Sequence, residues 1–153
     1  MSYQRFSKHH LKRVKAILLL SLPWTLIGCY DPAGDALCNG ENMDIRILAT
    51  TSTGIKIDML LKGAEETGFV SAGPHYQAIE AFTLQGERIG GFSRDALPEP
   101  TDQYLIAAKA LMFLITKQGV YPVPAKYHHA CREYADEIMK EFSLASHGQN
   151  RSR

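Results

Sequence analysis

Met43-Asp44-Ile45-Arg46-Ile47-Leu48-Ala49-Thr50-Thr51-Ser52-Thr53-Gly54-Ile55-Lys56-Ile57-Asp58-Met59-Leu60-Leu61 is the stretch that decides the fold. Ile45, Ile47 and Ala49 alternate with Asp44, Arg46 and Leu48. After Thr51-Ser52-Thr53-Gly54, a second set of Ile55, Ile57, Met59 and Leu61 alternates with Lys56, Asp58 and Leu60. Successive strand side chains point to opposite faces, so period-two alternation with one mostly polar face marks half-buried antiparallel strands. The Thr/Ser/Gly cluster between them suits a hairpin loop of four or five residues. Lys62 to Gly68 then breaks the pattern as a loop or a single helical turn.

Downstream, Phe69-Val70-Ser71-Ala72 reads as a short strand before Gly73-Pro74. From Tyr76 to Leu84 the residues Tyr76, Ala78, Phe82 and Leu84 share one face, with Glu80 breaking the rule on it. Two readings of Glu80 follow: an inward charge at a sheet edge, where it discourages aggregation, or a mark of a binding face. Gln85-Gly86 turns the chain into Arg88-Ile89-Gly90-Gly91-Phe92, giving a second hairpin. Gly90-Gly91 marks a bulge or a close approach of another backbone. Leu97-Pro98-Glu99-Pro100 is a stiff connector. Thr101 as N-cap, Asp102 near the positive end of the dipole and the apolar run Tyr104 to Thr116 predict a buried helix ending near Gly119. A last helix is expected over 125–144, because Tyr127, Cys131, Tyr134, Ile138 and Phe142 recur at steps of four, three, four and four. The expected fold is therefore α+β, an antiparallel sheet of two β-hairpins packed against two C-terminal helices.

Upstream the reading changes. Arg5, Lys8, Lys12, Arg13 and Lys15, with no acidic residue among them, run into the apolar segment Ala16 to Ile27. A charged n-region before a short h-region is the pattern of a secretory signal peptide. A spanning helix needs roughly 20 apolar residues, and this run is shorter and holds Pro23 and Trp24. It ends at Leu26-Ile27-Gly28-Cys29, which resembles the lipobox of bacterial lipoproteins. The resemblance covers residues 1–29 only. It implies cleavage after Gly28, palmitate-type acylation of Cys29, and a protein held in the cell envelope through that lipid. Tyr30, where an Asp would resemble an inner-membrane retention signal, favours an outer-membrane lipoprotein facing the periplasm, and Asp31 one place later keeps the inner membrane open. The expected organisation is a signal peptide (1–28), a lipid-proximal tether (29–42), an α+β domain (43–145) and a disordered tail (146–153).

Charge and cysteine content agree with export. The first 28 residues hold five of the 17 Lys+Arg and none of the 16 Asp+Glu, so the remainder is mildly acidic, with 12 basic against 16 acidic residues. Such a domain lacks the basic patch that nucleic acid requires. With Cys29 assigned to lipid, Cys38 and Cys131 are left as an even pair in an oxidising compartment, and a disulfide between them is expected.

No catalytic, cofactor or metal site is predicted. His128 and Cys131 stand three apart, as metal ligands can on a helix, but zinc needs three or four ligands and Glu133 and His129 point elsewhere. His75 could act as a base if Asp58 or Glu80 oriented it. Ser52, Ser71 and Ser93 lie in no nucleophile-elbow pattern, and no P-loop, H-E-x-x-H or dinucleotide fingerprint is present. The leading expectation is a non-catalytic, membrane-anchored lipoprotein that binds another envelope protein, such as an accessory or pilot component of a secretion, conjugation or pilus machine. A defensive lipoprotein (inhibitor of a periplasmic enzyme, immunity or exclusion protein) is the alternative class, with an enzyme third. Because binding energy concentrates in a few aromatic and Arg anchors, Tyr76, Phe92, Arg94 and Tyr121 are the expected partner-binding residues.

Overall fold

The computed structural model describes residues 34–69, 73–106 and 109–149. Cys29 with its signal segment, and Val70 to Ala72 of the expected short strand, lie outside them. The first hairpin forms as its alternation requires. β2 (Ile45–Thr51) pairs antiparallel with β3 (Lys56–Leu61) in the register Ile45↔Leu61, Ile47↔Met59, Ala49↔Ile57. Thr51 closes the four-residue loop, accepting on its Oγ1 from the Ile55 amide at 3.0 Å, and Gly54 turns at φ 83°. Ile45, Ile47 and Ala49 are buried.

β4 (Tyr76–Phe82) and β5 (Arg88–Ser93) form the second hairpin, in the antiparallel sheet order β3-β2-β4-β5. The expected faces of β4 are reversed. Ile79 and Ala81 point into the core, while Glu80 is exposed and meets Arg88 Nε at 3.2 Å. Glu80 therefore faces solvent from an interior strand, neither an edge charge nor an inward one. Tyr76 is buried for another reason: a bulge sets Thr51 opposite Tyr76 after Thr50 opposite Ala78, shifting the phase by one residue. Both readings of Gly90-Gly91 hold. The register slips between Ala81 and Phe82, and a Cβ on Gly90 would come within 2.9 Å of the Gly119 Cα.

The second sheet departs from expectation. β1 (Ala36–Asn39) runs parallel to β6 (Met112–Thr116), which forms a hairpin with β7 (Gly119–Pro122). Residues 34–39, expected within a tether, are thus part of the folded body. The segment after β3 closes the other edge of β1, with Asn39 N donating to Glu65 O and Thr67 N to Leu37 O, each at 2.8 Å. The helix expected to start at Thr101 is a four-residue 3₁₀ turn, Thr101–Tyr104, and the end of the apolar run is a strand. β6 is buried on both faces. Phe113 and Ile115 join the core beneath the four-stranded sheet, whereas Met112 and Leu114 join a second core with Ala36, Cys38, Cys131 and Ile138. A strand enclosed on both faces shows no alternation, so periodicity cannot separate it from a buried helix. Helix propensities differ by less than about 0.7 kcal/mol per ordinary residue, against roughly 1.5–3 kcal/mol for fully burying a large apolar side chain. Burial between two layers decides.

Among the described residues one α-helix remains, α1 (Ala135–Gln149), preceded by a 3₁₀ turn at Ala125–Tyr127. The expected apolar stripe is real, but its first three members, Tyr127, Cys131 and Tyr134, sit in turns ahead of the helix. The helix also continues past the point where a disordered tail was expected. The architecture is α+β in layers: four-stranded sheet, three-stranded sheet, helix.

Cys38 on β1 and Cys131 in the turn before α1 are joined, with Cα atoms 6.6 Å apart across 93 residues of sequence. The bond ties the strand to the layer that covers it. Replacing Cys131 by Ser is expected to cost about 2–5 kcal/mol, as removal of a native disulfide from a small secreted domain does. Denaturant unfolding checks this, and unchanged stability of Cys131→Ser would contradict it.

Candidate functional site

β1 is preceded by a buried carboxylate. The Asp35 side chain has no exposed surface, and an ionised carboxylate out of water costs several kcal/mol unless donors surround it. Four do. Oδ2 accepts from the Tyr76 amide and from Arg94 Nη2, both at 2.6 Å. Oδ1 accepts from the Leu111 amide at 2.8 Å and from His75 Nδ1 at 3.2 Å. Arg94 spends its other donors on backbone, with Nε on Tyr76 O at 3.1 Å and Nη1 on Lys109 O at 3.0 Å. The chain is equally tight here: Asp35 N donates to Pro74 O at 2.9 Å, and a Cβ on Gly34 would strike the Gly73 carbonyl carbon. One carboxylate thus fastens together the starts of β1 and β4, the turn after β5 and the approach to β6. Asp58 and Glu80, the carboxylates that could have oriented His75 as a base, lie on the outer face of the four-stranded sheet. The partner of His75 is Asp35, and that carboxylate is fully engaged with structural donors.

The expected partner-binding face does not assemble. Tyr76 and Phe92 are core residues, 7% and 8% exposed. Phe92 packs 5.8 Å from Phe113 and 6.0 Å from Phe142, centroid to centroid. Burial, reinforced by the Asp35 charge, pushes the Tyr76 phenol above its usual range. Arg94 is 19% exposed and committed to Asp35. Tyr121 is half-buried edge-on to Phe142 at 5.7 Å, and burial raises its phenol too. Aromatic residues close to turn signals resemble surface anchors in sequence. Here they are core because β5 and β7 each turn one face toward an apolar layer. Near the expected disulfide, His128 Nε2 donates to Val123 O at 2.9 Å, and burial lowers the pKa of its imidazole. Among the described residues no group of three or more His, Cys, Asp and Glu side chains converges as metal ligands would.

The open surface lies on the outer face of the four-stranded sheet. There β2 places Arg46, Leu48 and Thr50, β3 places Lys56, Asp58 and Leu60, and β4 places Ala78, Glu80 and Phe82. Arg46 grips Asp58 in a two-pronged pair, with Nε on Oδ1 at 2.9 Å, and holds that carboxyl below the usual carboxylate range. Both partners are about half exposed, so the pair orders the face more than it stabilises the fold. Leu60 is 46% exposed. Leu48, Thr50, Lys56, Asp58, Ala78 and Glu80 line a hollow of about 310 Å³ across the three strands. Sequence reasoning missed this face because the reversed phase of β4 hid the rows of neighbours that build it.

The chain matches no family model, no curated protein and no solved structure. Among the described residues no helix is long and apolar enough to cross a membrane.

The Asp35 cluster makes an ordered prediction. Asp35→Ala leaves Arg94 and two backbone amides without their acceptor and is expected to cost about 3–5 kcal/mol. Arg94→Leu should cost less, since the Tyr76 and Leu111 amides and His75 still hold the carboxylate. Urea unfolding of the two purified variants tests the order, and equal stabilities would contradict it.

Proposed function

We propose that this chain is a lipid-anchored bacterial envelope protein that acts without catalysis, by seating another envelope protein on the outer face of its four-stranded sheet. The observation carrying this reading is the hollow across β2, β3 and β4. It combines apolar floor (Leu48, Ala78) with charges of both signs at its rim (Lys56, Asp58, Glu80). A fitting partner presents an apolar side chain flanked by charges of both signs. The titratable residues that meet at the start of β1 support the same reading, because Asp35 and Arg94 are spent on backbone groups and on each other and His75 turns its Nδ1 to Asp35.

The lipobox resemblance supplies the anchor. Gly34, already against Gly73, follows Cys29 by five residues, a span of at most roughly 17 Å when extended. A partner on this domain would therefore meet it close to the membrane. The finer assignment, an accessory or pilot component of a secretion, conjugation or pilus machine, fits a small adaptor held at that distance.

Anchoring is tested by metabolic labelling. Wild-type protein should incorporate labelled palmitate and Cys29→Ser should not, whereas normal processing and labelling of Cys29→Ser would sink the lipobox reading. The face is tested by placing a photo-crosslinking amino acid at Glu80 and, as control, at Leu144 on α1, 66% exposed. Glu80 should give one discrete adduct with a different envelope protein, absent from Leu144 and absent without Cys29. Identical adducts from both positions, or none from Glu80, would remove the sheet face from consideration.

A further inference from the structure

β3 is the outer strand of its sheet. The bond from Thr51 N to Ile55 O, 2.8 Å, fixes which of its residues bond inward. By the alternation of an antiparallel ladder, Ile57, Met59 and Leu61 likewise face β2, so the N–H and C=O groups of Lys56, Asp58 and Leu60 point away from it. Those groups have no backbone partner among the described residues. Ile55, at the mouth of the strand, is 62% exposed, and Ile57 and Met59 are only partly buried. A six-residue edge of this kind is a template for another strand.

We propose that the strand it accepts is β3 of a second copy of this chain, antiparallel, with Ile57 opposite Ile57 across a two-fold axis. Charge selects this register. Outward-bonding residues must face one another, which leaves few choices. Centring the pair on Lys56 or on Asp58 sets like charges directly opposite, which destabilises a ladder. Centring it on Leu60 requires Lys62 to bond outward, but Lys62 N already donates to Glu65 Oε2 at 2.6 Å and Lys62 O accepts from Asn39 Nδ2 at 2.8 Å. Centring it on Met59 leaves Asp58 opposite Leu60 and again brings Lys56 against Lys62. Centring it on Ile57 places Lys56 opposite Asp58 twice, on the outer face, and Ile55 opposite Met59 twice, on the inner face. The apolar groups left exposed by one copy are then covered by the other, and the sheet becomes eight-stranded.

The test uses the purified full chain in mild detergent with a thiol oxidant, wild type serving as baseline. Ile57→Cys should form a covalent dimer on a non-reducing gel. Ile55→Cys should not, because in this register the two copies of residue 55 lie four residues apart along the ladder. Adding Asp58→Lys to Ile57→Cys should reduce dimer yield about tenfold, as two attractive pairs become repulsive, and adding Lys56→Asp as well should restore it. Both charge variants lose the Arg46 pair equally, so only the cross-strand term separates them. In case Ile57→Cys perturbs the inner face, Lys56→Cys protein mixed with Asp58→Cys protein should cross-link only as the mixture; both side chains are exposed. A monomeric, thiol-reactive Ile57→Cys together with an unlinked mixture, equal linking of Ile55→Cys, or no rescue by the double charge swap overturns the proposal.

Discussion

β6 has no side facing water, and the layers are built around that constraint. Met112 to Thr116 are all buried. A strand buried on both faces requires an apolar layer above and another below, here the four-stranded sheet and α1. Each layer then supplies what its position demands: Ile47, Ile79 and Phe92 on one side, Ile138 and Cys131 on the other. The disulfide joins β1, the parallel neighbour of β6, to the turn that launches α1. It binds the helix layer to the central sheet at the place where a short helix with one buried stripe would otherwise hold it by packing alone.

A buried ion pair is a weak source of net stability, because desolvation offsets most of its attraction. The Asp35–Arg94 pair is better understood as a lock on register. Parallel pairing of β1 with β6 joins residues 76 apart in sequence, and a short strand such as Ala-Leu-Cys-Asn has little pattern of its own to resist a slip. Asp35 resists it. Only one register delivers its two oxygens to the Tyr76 and Leu111 amides and to the Arg94 guanidinium together. Any other leaves a charge without donors in an apolar interior. Arg94 in turn holds the carbonyl of Lys109, whose φ of 62° is left-handed, so the lock reaches the approach to β6.

What was legible in the sequence follows from the same physics. Both hairpins could be read because one face of each strand meets solvent, and alternation survives. The disulfide could be read from an even cysteine count. β6 could not be distinguished from a helix because its two faces are equally apolar. β1 was hidden because four residues beside Asp, Gly and Asn give no period, and only the small apolar run Ala36-Leu37-Cys38 hinted at burial. The faces of β4 were reversed because a bulge brings Tyr76 inward out of phase, so that the largest side chain argued for the wrong set. The partner-facing residues were misassigned for a different reason: Tyr76, Phe92, Arg94 and Tyr121 stood outside the helical stripes and close to turn signals, whereas Tyr76, Phe92 and Tyr121 pack into apolar layers and Arg94 is spent on Asp35.

The outer sheet face and the β3 edge adjoin, and Asp58 belongs to both. Its carboxylate is shared between Arg46 within the sheet and, in the proposed dimer, Lys56 of the second copy. The edge is six residues long and its charges are exposed, so its intrinsic attraction is small. Free in solution, such an edge would pair weakly. Held at a membrane by the proposed lipid on Cys29, two copies would share a thin layer, and confinement would raise their effective concentration without any new contact. Anchoring would then govern assembly: the lipid sets how often two β3 edges meet, and the Lys56–Asp58 pairs set how they align.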